Sequence, residues 1–147
     1  MILTTKGRYA VMAVVDMIET SKIETGGKSK PVTLLSIADR QNISLPYLEQ
    51  IFNKLKKSGI VDSVKGPGGG YILAQNPQNL TVATIINCIG EKIKMTRCGT
   101  DKKGCPTDGK IKCRTHHVWK GLEHQIFDYL NSISLQDVCA KEIGNIK

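Results

Sequence analysis

Hydrophobic positions in the first third of the chain recur at the spacing of amphipathic helices. A first helix is predicted over residues 5–20, with one apolar stripe formed by Ala10, Ala13, Val14, Met17 and Ile18. A second, short helix is predicted over 33–40, and its expected buried side chains are Leu34, Leu35, Ile37 and Ala38. The stretch between them is rich in Lys, Gly and Ser, which favours a flexible connection.

A third helix follows a tight turn at residues 41–43. Ser44 can cap it, and Pro46 is tolerated in its first turn because no intrahelical N–H is lost there. Ser58 and Gly59 end it, directly after two lysines in the last turn. The face expected in the core has spacings i, i+3, i+4 and i+7 and consists of Leu48, Ile51, Phe52 and Leu55.

Two short β-prone runs come next, at residues 60–65 and 71–74, around a Gly-Pro-Gly-Gly-Gly tip. Two short helices joined by a tight turn, followed by a hairpin, is the order of a winged helix-turn-helix. A nucleotide-binding loop would instead lead from a strand into a helix, commonly with Gly-Lys-Ser/Thr, and no such lysine follows here. The fold class predicted is mainly α with a small β wing.

The C-terminal half contains two further predicted helices, at 81–89 and 115–132, separated by an aperiodic stretch rich in Gly, Lys and Cys. The last helix has a coiled-coil-like seam with spacings of 3 and 4, formed by Trp119, Leu122, Ile126, Tyr129 and Ile133. Its partner could be the domain's own core or the same helix of a second subunit. We favour a homodimer, because two-fold symmetry presents two recognition helices to a pseudo-palindromic operator. The chain thus divides into a winged domain, 1–80, and a cysteine loop with a dimerisation helix, 81–147.

Charge and length narrow the class of partner. The 21 basic and 13 acidic side chains give a net charge of +8, which favours polyanions such as nucleic acid. A two-lobed enzyme cleft is hard to build from 147 residues, and no nucleophile–base arrangement is evident, so we expect no enzyme. No signal peptide is visible and no apolar run approaches the ~18 residues of a membrane span. We therefore expect a cytoplasmic protein without a membrane partner, whose five cysteines are reduced.

The predicted recognition helix and wing offer polar groups to double-stranded DNA. Gln50 or Asn53 could pair with adenine. Glu49 could accept from a cytosine amine while repelling phosphates at other sites. The exposed first turn also offers Ser44, Pro46 and Tyr47. Lysines 54, 56 and 57 are better suited to supply charge than to read bases. In the wing, Lys65 and the thin tip around Gly68 can approach the DNA backbone or minor groove. Taken singly, each of these residues also fits an ordinary solvated surface.

Three cysteines and a histidine in the aperiodic stretch form a candidate metal site. Six residues separate Cys98 from Cys105, seven separate Cys105 from Cys113, and Cys113-Arg-Thr-His116 adds one short step. Thiolates and imidazole suit both zinc and iron–sulfur clusters. Structural zinc sites usually use paired short steps, so the loose loop fits a cluster better, although zinc and free thiols both stay open. Cys88 and Cys139 lie among apolar residues and are expected to be buried side chains.

Four segments together resemble the IscR-type iron–sulfur cluster regulators, a group of winged-helix repressors. They are residues 3–11, 43–51, 64–71 and the cysteine stretch that ends in Cys113-Arg-Thr-His116. The resemblance implies a homodimer with one [2Fe–2S] cluster per subunit, held by Cys98, Cys105, Cys113 and His116. It also implies that cluster occupancy selects promoters, including those of cluster-biogenesis genes, that Glu49 and Gln50 read bases, and that Lys6 and Tyr9 contact phosphates.

Two alternatives stay open beside this reading. A sibling repressor that responds to nitric oxide or iron would share the same cluster chemistry and differ in its operator. A carrier or scaffold that passes iron and sulfur to other proteins would belong to a different class. This chain also departs from the IscR pattern at Pro46, at Lys65 and in the longer gaps between its cysteines.

Overall fold

The computed structural model describes residues 4–23, 29–95 and 113–141. Its elements are, in chain order, α1 (Thr5–Ile23), α2 (Leu34–Gln41), α3 (Leu45–Lys57), β1 (Val61–Val64), β2 (Gly70–Leu73), a 3₁₀ turn (Pro77–Asn79), α4 (Val82–Cys88), α5 (His116–Ser132) and α6 (Leu135–Ala140). The five helices and the hairpin predicted from the sequence are confirmed, as is the mainly α fold class. The 3₁₀ turn and α6 were not predicted. Within the described ranges, no helix is both long and apolar enough to cross a membrane.

The core forms where α1, α2 and α3 bury their apolar faces against one another. All five predicted stripe residues of α1 are buried, and so are the four predicted on α3. The same cluster includes Leu80, Ile85 and Leu135 from the C-terminal half. The winged part is therefore packed directly against α4 and the start of α6.

The turn between α2 and α3 sets the angle of the helix-turn-helix. Thr33 caps α2, its side chain accepting a hydrogen bond from the Ser36 N–H. Asn42 ends α2 in the left-handed conformation, φ 53°, which asparagine tolerates better than most residues. The expectation that Leu35 is buried is wrong, since it is 59% exposed. Leu34, Ile37 and Ala38 share the inward stripe of α2, and Leu35 lies on the opposite side of the helix.

Ser44 stands at the N-cap of α3, but its side chain makes no capping hydrogen bond, so the predicted side-chain cap is wrong. An N-cap oxygen accepts from the N–H of the second or third helical residue. Pro46 occupies the second position and has no N–H, which removes one of the two possible donors. The helix starts instead with the Ser44 carbonyl accepting from the Leu48 N–H at 3.1 Å.

The wing is an antiparallel hairpin extended by one residue from the segment before α2. β1 pairs with β2 in a register that places Ser63 opposite Tyr71 and Val64 opposite Gly70. Val32 then pairs with the other edge of β2, exchanging two backbone hydrogen bonds with Tyr71 at 2.8 and 2.9 Å. The tip turns through a hydrogen bond from the Gly69 N–H to the Gly66 carbonyl. The wing is thus anchored to the helix-turn-helix both through the chain that follows α3 and through the segment that precedes α2.

The C-terminal end of α5 is fastened to the start of α4. The Val82 N–H donates to the Ile133 carbonyl at 3.0 Å, and the Leu135 N–H donates to the Leu80 carbonyl at 2.8 Å. Helix α6 begins with a capping box in which Ser134 and Asp137 satisfy each other's backbone N–H groups. These hydrogen bonds also hold the pKa of the Asp137 carboxyl below its ordinary value.

Asp16 is the buried charged residue of the core region, 6% exposed among the described residues. Its carboxylate accepts hydrogen bonds from Arg40 at 2.7 Å and from the Gln41 amide at 2.7 Å, which joins α1 to α2. The hydrogen bond with Asp16 also raises the pKa of the Arg40 guanidinium above its ordinary value. This contact fixes the first helix of the helix-turn-helix on the long helix α1.

An Asp16→Ala variant is expected to lose about 1–3 kcal/mol of unfolding free energy, because the part-buried hydrogen bonds from Arg40 and Gln41 to its carboxylate are lost. The loss stays below that of a fully buried pair since Arg40 is 40% exposed and can be rehydrated. Urea unfolding followed by circular dichroism measures the change. Glu19→Ala, at an exposed position of the same helix, is the matched control and should stay within about 0.5 kcal/mol of wild type. Equal urea unfolding midpoints for Asp16→Ala and Glu19→Ala would contradict this role of Asp16.

Candidate nucleic-acid interface and metal site

The outward face of α3 is the centre of the candidate nucleic-acid interface. Because Leu48, Ile51 and Phe52 are fully buried, the rotation of the helix about its axis is fixed. Ser44, Pro46, Glu49 and Gln50 are then all exposed on the first two turns. An α-helix fits the major groove, where amide and carboxylate side chains can read base edges.

Two tyrosines that the sequence assigned to DNA contact also pack against each other. Tyr9 of α1 and Tyr47 of α3 meet edge to face, with ring centroids 5.7 Å apart and planes at 82°. Both residues are half-buried, so each ring supports the docking of α1 on α3 and stays partly accessible to solvent. The two tyrosines thus also have a packing role that sequence reasoning missed.

Lys6 at the start of α1 lies near Lys54 in the middle of α3. The nearby Lys6 ammonium lowers the pKa of the Lys54 ammonium. Lys54 also donates to the Ile89 carbonyl at the end of α4, at 2.9 Å. Two cations held this close form a local positive potential suited to a phosphate group. From the sequence, Lys54 was expected only to contribute positive charge near the DNA.

The wing presents its tip to solvent beside the recognition helix. Lys65 and Gly68 are exposed, and no atom lies within 4 Å of a Cβ built on Gly68. Lys56 of α3 donates to the Ser63 hydroxyl of β1 at 2.6 Å, which ties the wing to the recognition helix. The tip is therefore both thin and accessible, as a contact with the DNA backbone requires.

Two of the four candidate metal ligands lie in the described part of the chain, at the start of α5. The His116 N–H donates to the Cys113 carbonyl at 3.0 Å, and both residues are half-buried. Both line an open cavity of 620 Å³, together with His117, Lys120, Gly121, His124, Gln125 and Asp128. Cys98 and Cys105 lie outside the described residues. His117 and His124, which were not expected to be ligands, are exposed.

The donor chemistry of this cavity fits an iron–sulfur cluster. A thiol and an imidazole three residues apart supply one soft ligand and one nitrogen ligand, both of which occur in cluster sites. Thr115 lies between them in sequence, with its hydroxyl 3.1 Å from the Cys113 sulfur. Within residues 4–23, 29–95 and 113–141, no three His, Cys, Asp or Glu residues form a group able to hold a metal ion. A complete site at this cavity therefore needs ligands beyond those ranges.

Helix α5 carries its apolar residues on the outside. It has no buried side chain, and Trp119, Leu122 and Tyr129 of the predicted seam are 38–46% exposed. Ile126 and Ile133 are half-buried, and Ile133 follows the helix as its C-cap. Val118 and Phe127, which the seam pattern missed, are exposed as well. Exposed apolar faces of this kind are typical of interaction sites.

The two cysteines outside the loop are half-buried rather than fully buried. Cys88 ends α4 and Cys139 lies in α6, and both pack against the edge of the hydrophobic core. Their packing against apolar neighbours agrees with the sequence interpretation, although their burial is less complete than expected.

A helix-turn-helix, a glycine-tipped wing and a basic, polar recognition helix together define a winged-helix DNA-binding regulator. Residues 3–141 match the Rrf2 family, described as an iron-dependent transcriptional regulator. The HTH-type transcriptional regulator IscR of Klebsiella pneumoniae is 45% identical over 136 residues, which are 92% of this chain and 78% of that protein. The chain therefore belongs to the Rrf2 family of transcription regulators.

Solved structures of two regulators have the same fold. The structure of T. potens IscR is 34% identical, with a TM-score of 0.74, and the match covers 97% of this chain and 88% of that one. CymR (YrzC), the global cysteine regulator of B. subtilis, is 26% identical with a TM-score of 0.75, covering 96% and 98%. These relatives confirm the resemblance to IscR and the expectation of a regulator rather than an enzyme.

Proposed function

We propose that this chain is a homodimeric transcription regulator whose DNA binding depends on a [2Fe–2S] cluster held by Cys98, Cys105, Cys113 and His116. The observation that carries the proposal is the pairing of Cys113 and His116 on one open cavity at the start of α5, in a chain 45% identical to IscR. Cluster-biogenesis genes are the proposed targets, because that is the role implied by the resemblance.

The residues around Cys113 are suited to hold a thiolate ligand. The Trp119 indole N–H donates to the Thr115 hydroxyl oxygen at 3.1 Å, so the hydroxyl hydrogen is available for the Cys113 sulfur. A hydrogen bond to a thiolate stabilises its negative charge and favours the deprotonated, ligating form. The bound cluster would supply iron–ligand bonds that are sensitive to iron supply and oxidants.

We propose a second copy of this chain as the partner of α5. The exposed apolar side chains of that helix, Val118, Trp119, Leu122, Phe127 and Tyr129, are not covered by the described core, which supports an intermolecular contact. Trp119, Leu122, Ile126, Tyr129 and Ile133 stay the proposed seam. We also retain the proposed division into a DNA-binding part, 1–80, and a cluster and dimer part, 81–147.

The proposed DNA contacts follow the exposed surface of α3, the start of α1 and the wing. They comprise Lys6, Tyr9, Ser44, Pro46, Tyr47, Glu49, Gln50, Lys65 and Gly68. Gln50 and Glu49 are assigned to base edges, and the lysines to phosphates. Pro46 has no N–H and no polar side chain, so its contribution is limited to van der Waals contact with a base or sugar.

A Gln50→Ala variant is expected to bind its operator about 5- to 150-fold more weakly, the cost of about 1–3 kcal/mol for a bidentate base contact. Its affinity for unrelated DNA should stay unchanged, because phosphate contacts supply most non-specific binding. Fluorescence anisotropy with operator and scrambled fragments measures both. Gln78→Ala, at an exposed position in the 3₁₀ turn, is the matched control. Equal operator affinities for the two variants would refute base reading by Gln50.

Anaerobic purification tests the cluster assignment. The dimer is expected to be brown, with sulfide-to-iron absorption in the visible range, and to contain iron and acid-labile sulfide in equal amounts. A colourless protein with stoichiometric zinc would overturn the cluster assignment and favour the zinc alternative. Operator binding that weakens steeply with salt distinguishes a regulator from a cluster carrier, which should not select a promoter fragment.

A further inference from the structure

The hydrogen bond between Lys54 and Ile89 joins two elements that lie 35 residues apart in sequence. Lys54 is on the exposed face of α3, one turn after Gln50, and Ile89 is the C-cap of α4. The last carbonyl groups of a helix have no intrahelical partner, and a lysine ammonium is a favourable donor to them. The recognition helix is thus bonded directly to the end of α4.

Repulsion from Lys6 opposes this position of Lys54. The nearby Lys6 ammonium is the main reason why the pKa of Lys54 is lowered. If the bond to the Ile89 carbonyl is lost, the like charge drives the Lys54 side chain away from Lys6. The bond to the Ile89 carbonyl therefore holds Lys54 in place against the repulsion from Lys6.

The segment that carries the Ile89 carbonyl is also fastened to α5. Gly90 follows with φ 82°, a left-handed conformation that favours glycine, and turns the chain out of α4. The chain then continues to Met95, whose N–H donates to the Glu123 carboxylate of α5. Lys92, Ile93 and Lys94 line a cavity of 310 Å³ with Glu123 and Phe127. Residues 89–95 therefore connect the helix that begins at the candidate ligands with the recognition helix.

We propose that Lys54 is a positioning residue that couples α5 to the recognition helix through its bond to the Ile89 carbonyl. Residues 89–95 brace the exposed side of α3 at Lys54 while Glu123 holds Met95, in addition to the buried face that docks the helix on the core. A shift of α5 or of these residues releases Lys54 and removes that brace from α3. The inference rests on the proposed function, since it identifies how ligand binding at the start of α5 changes operator affinity.

The test measures operator affinity of cluster-loaded and cluster-free protein for Lys54→Met and Glu123→Ala dimers. For the wild type, the ratio of the two affinities is expected in the range of about 5- to 150-fold that is typical of coupled sites. In either variant this affinity ratio should move toward one, by a factor of about 2 to 30. Lys57→Met, another exposed lysine on α3, is the matched control and should leave the ratio unchanged. Amide hydrogen exchange in cluster-free protein gives an independent readout, expected to be faster across α3 in both variants than in Lys57→Met.

A simple phosphate contact by Lys54 gives a different result. Its loss would weaken DNA binding by the cluster-loaded and cluster-free proteins equally, so the ratio of their affinities would not change. It would also reduce the slope of log affinity against log salt concentration by about one. That outcome overturns the inference, as does an unchanged ratio in Glu123→Ala. Lys54→Arg, which keeps a donor, is expected to retain a larger ratio than Lys54→Met. A wild-type protein that binds a cluster but has a ratio of one would instead overturn the proposed function, and this inference with it.

Discussion

A Cys113→Ala variant purified anaerobically is expected to lose its visible absorption and at least about nine-tenths of its iron and sulfide. Changing a residue that only hydrogen-bonds a metal ligand already costs about 10–100-fold in metal affinity, and loss of a ligand itself costs more. Cys113 carries the thiol of the described cavity, and its neighbours His116 and Thr115 cannot replace a thiolate ligand. The operator affinity of the variant should equal that of cluster-free wild type. Absorption spectra with iron and sulfide analysis measure the loss.

Matched variants separate ligand loss from general damage to the protein. Cys139→Ala removes a half-buried thiol that packs against the core and should keep the full cluster content. His116→Ala and His117→Ala change adjacent residues that line the same cavity. His116→Ala is expected to lose or destabilise the cluster, and His117→Ala is expected to retain it. A Cys113→Ala protein with full cluster content, or a His117→Ala protein without any, would contradict the ligand assignment.

A Gly70→Ala variant is expected to lose about 2–4 kcal/mol of unfolding free energy, the upper part of the usual range for single substitutions. At φ 154° the residue has a conformation that L side chains rarely adopt, and an added Cβ would lie 2.5 Å from the Val32 carbonyl oxygen. Relief of that contact requires Val32 to move away from Tyr71, with which it exchanges two backbone hydrogen bonds. Chemical unfolding measures the loss, and operator binding should also weaken because the wing is displaced.

Gly68→Ala is the control for glycine replacement in the wing. Its φ of 73° is also positive, but no atom lies within 4 Å of the position that the added methyl group would take, so only backbone strain of about 1 kcal/mol is expected. A smaller loss for Gly70→Ala than for Gly68→Ala would show that the approach of Val32 to the wing does not constrain this site.

Helix periodicity predicted the fold because the core is built from amphipathic helices with regular spacing. The four core positions of α3 follow that spacing and are all fully buried. The same reasoning was wrong for Leu35, because several apolar residues close together on a short helix do not say which side faces inward. Helix α6 was missed although its start, Ser134-Leu-Gln-Asp137, has the spacing of a capping box.

Contacts between distant residues were beyond sequence reasoning. Val32 pairs with Tyr71, Asp16 with Arg40, and Lys54 with Ile89. Each pair is set by how the helices and the wing pack together, and local sequence pattern does not reveal it. The candidate metal site was found from residue type and spacing, since soft ligands are rare enough to stand out. Periodicity could not choose between His116 and His117, and the resemblance to IscR made that choice.

Genome-wide binding tests the central claim that cluster occupancy controls this regulator. Wild-type protein should be compared, under anaerobic conditions, with a variant that carries Cys98→Ala, Cys105→Ala and Cys113→Ala together. We expect the two proteins to occupy different sets of promoters, with cluster-biogenesis promoters among those that change. Identical promoters bound to the same extent by both proteins would contradict the account.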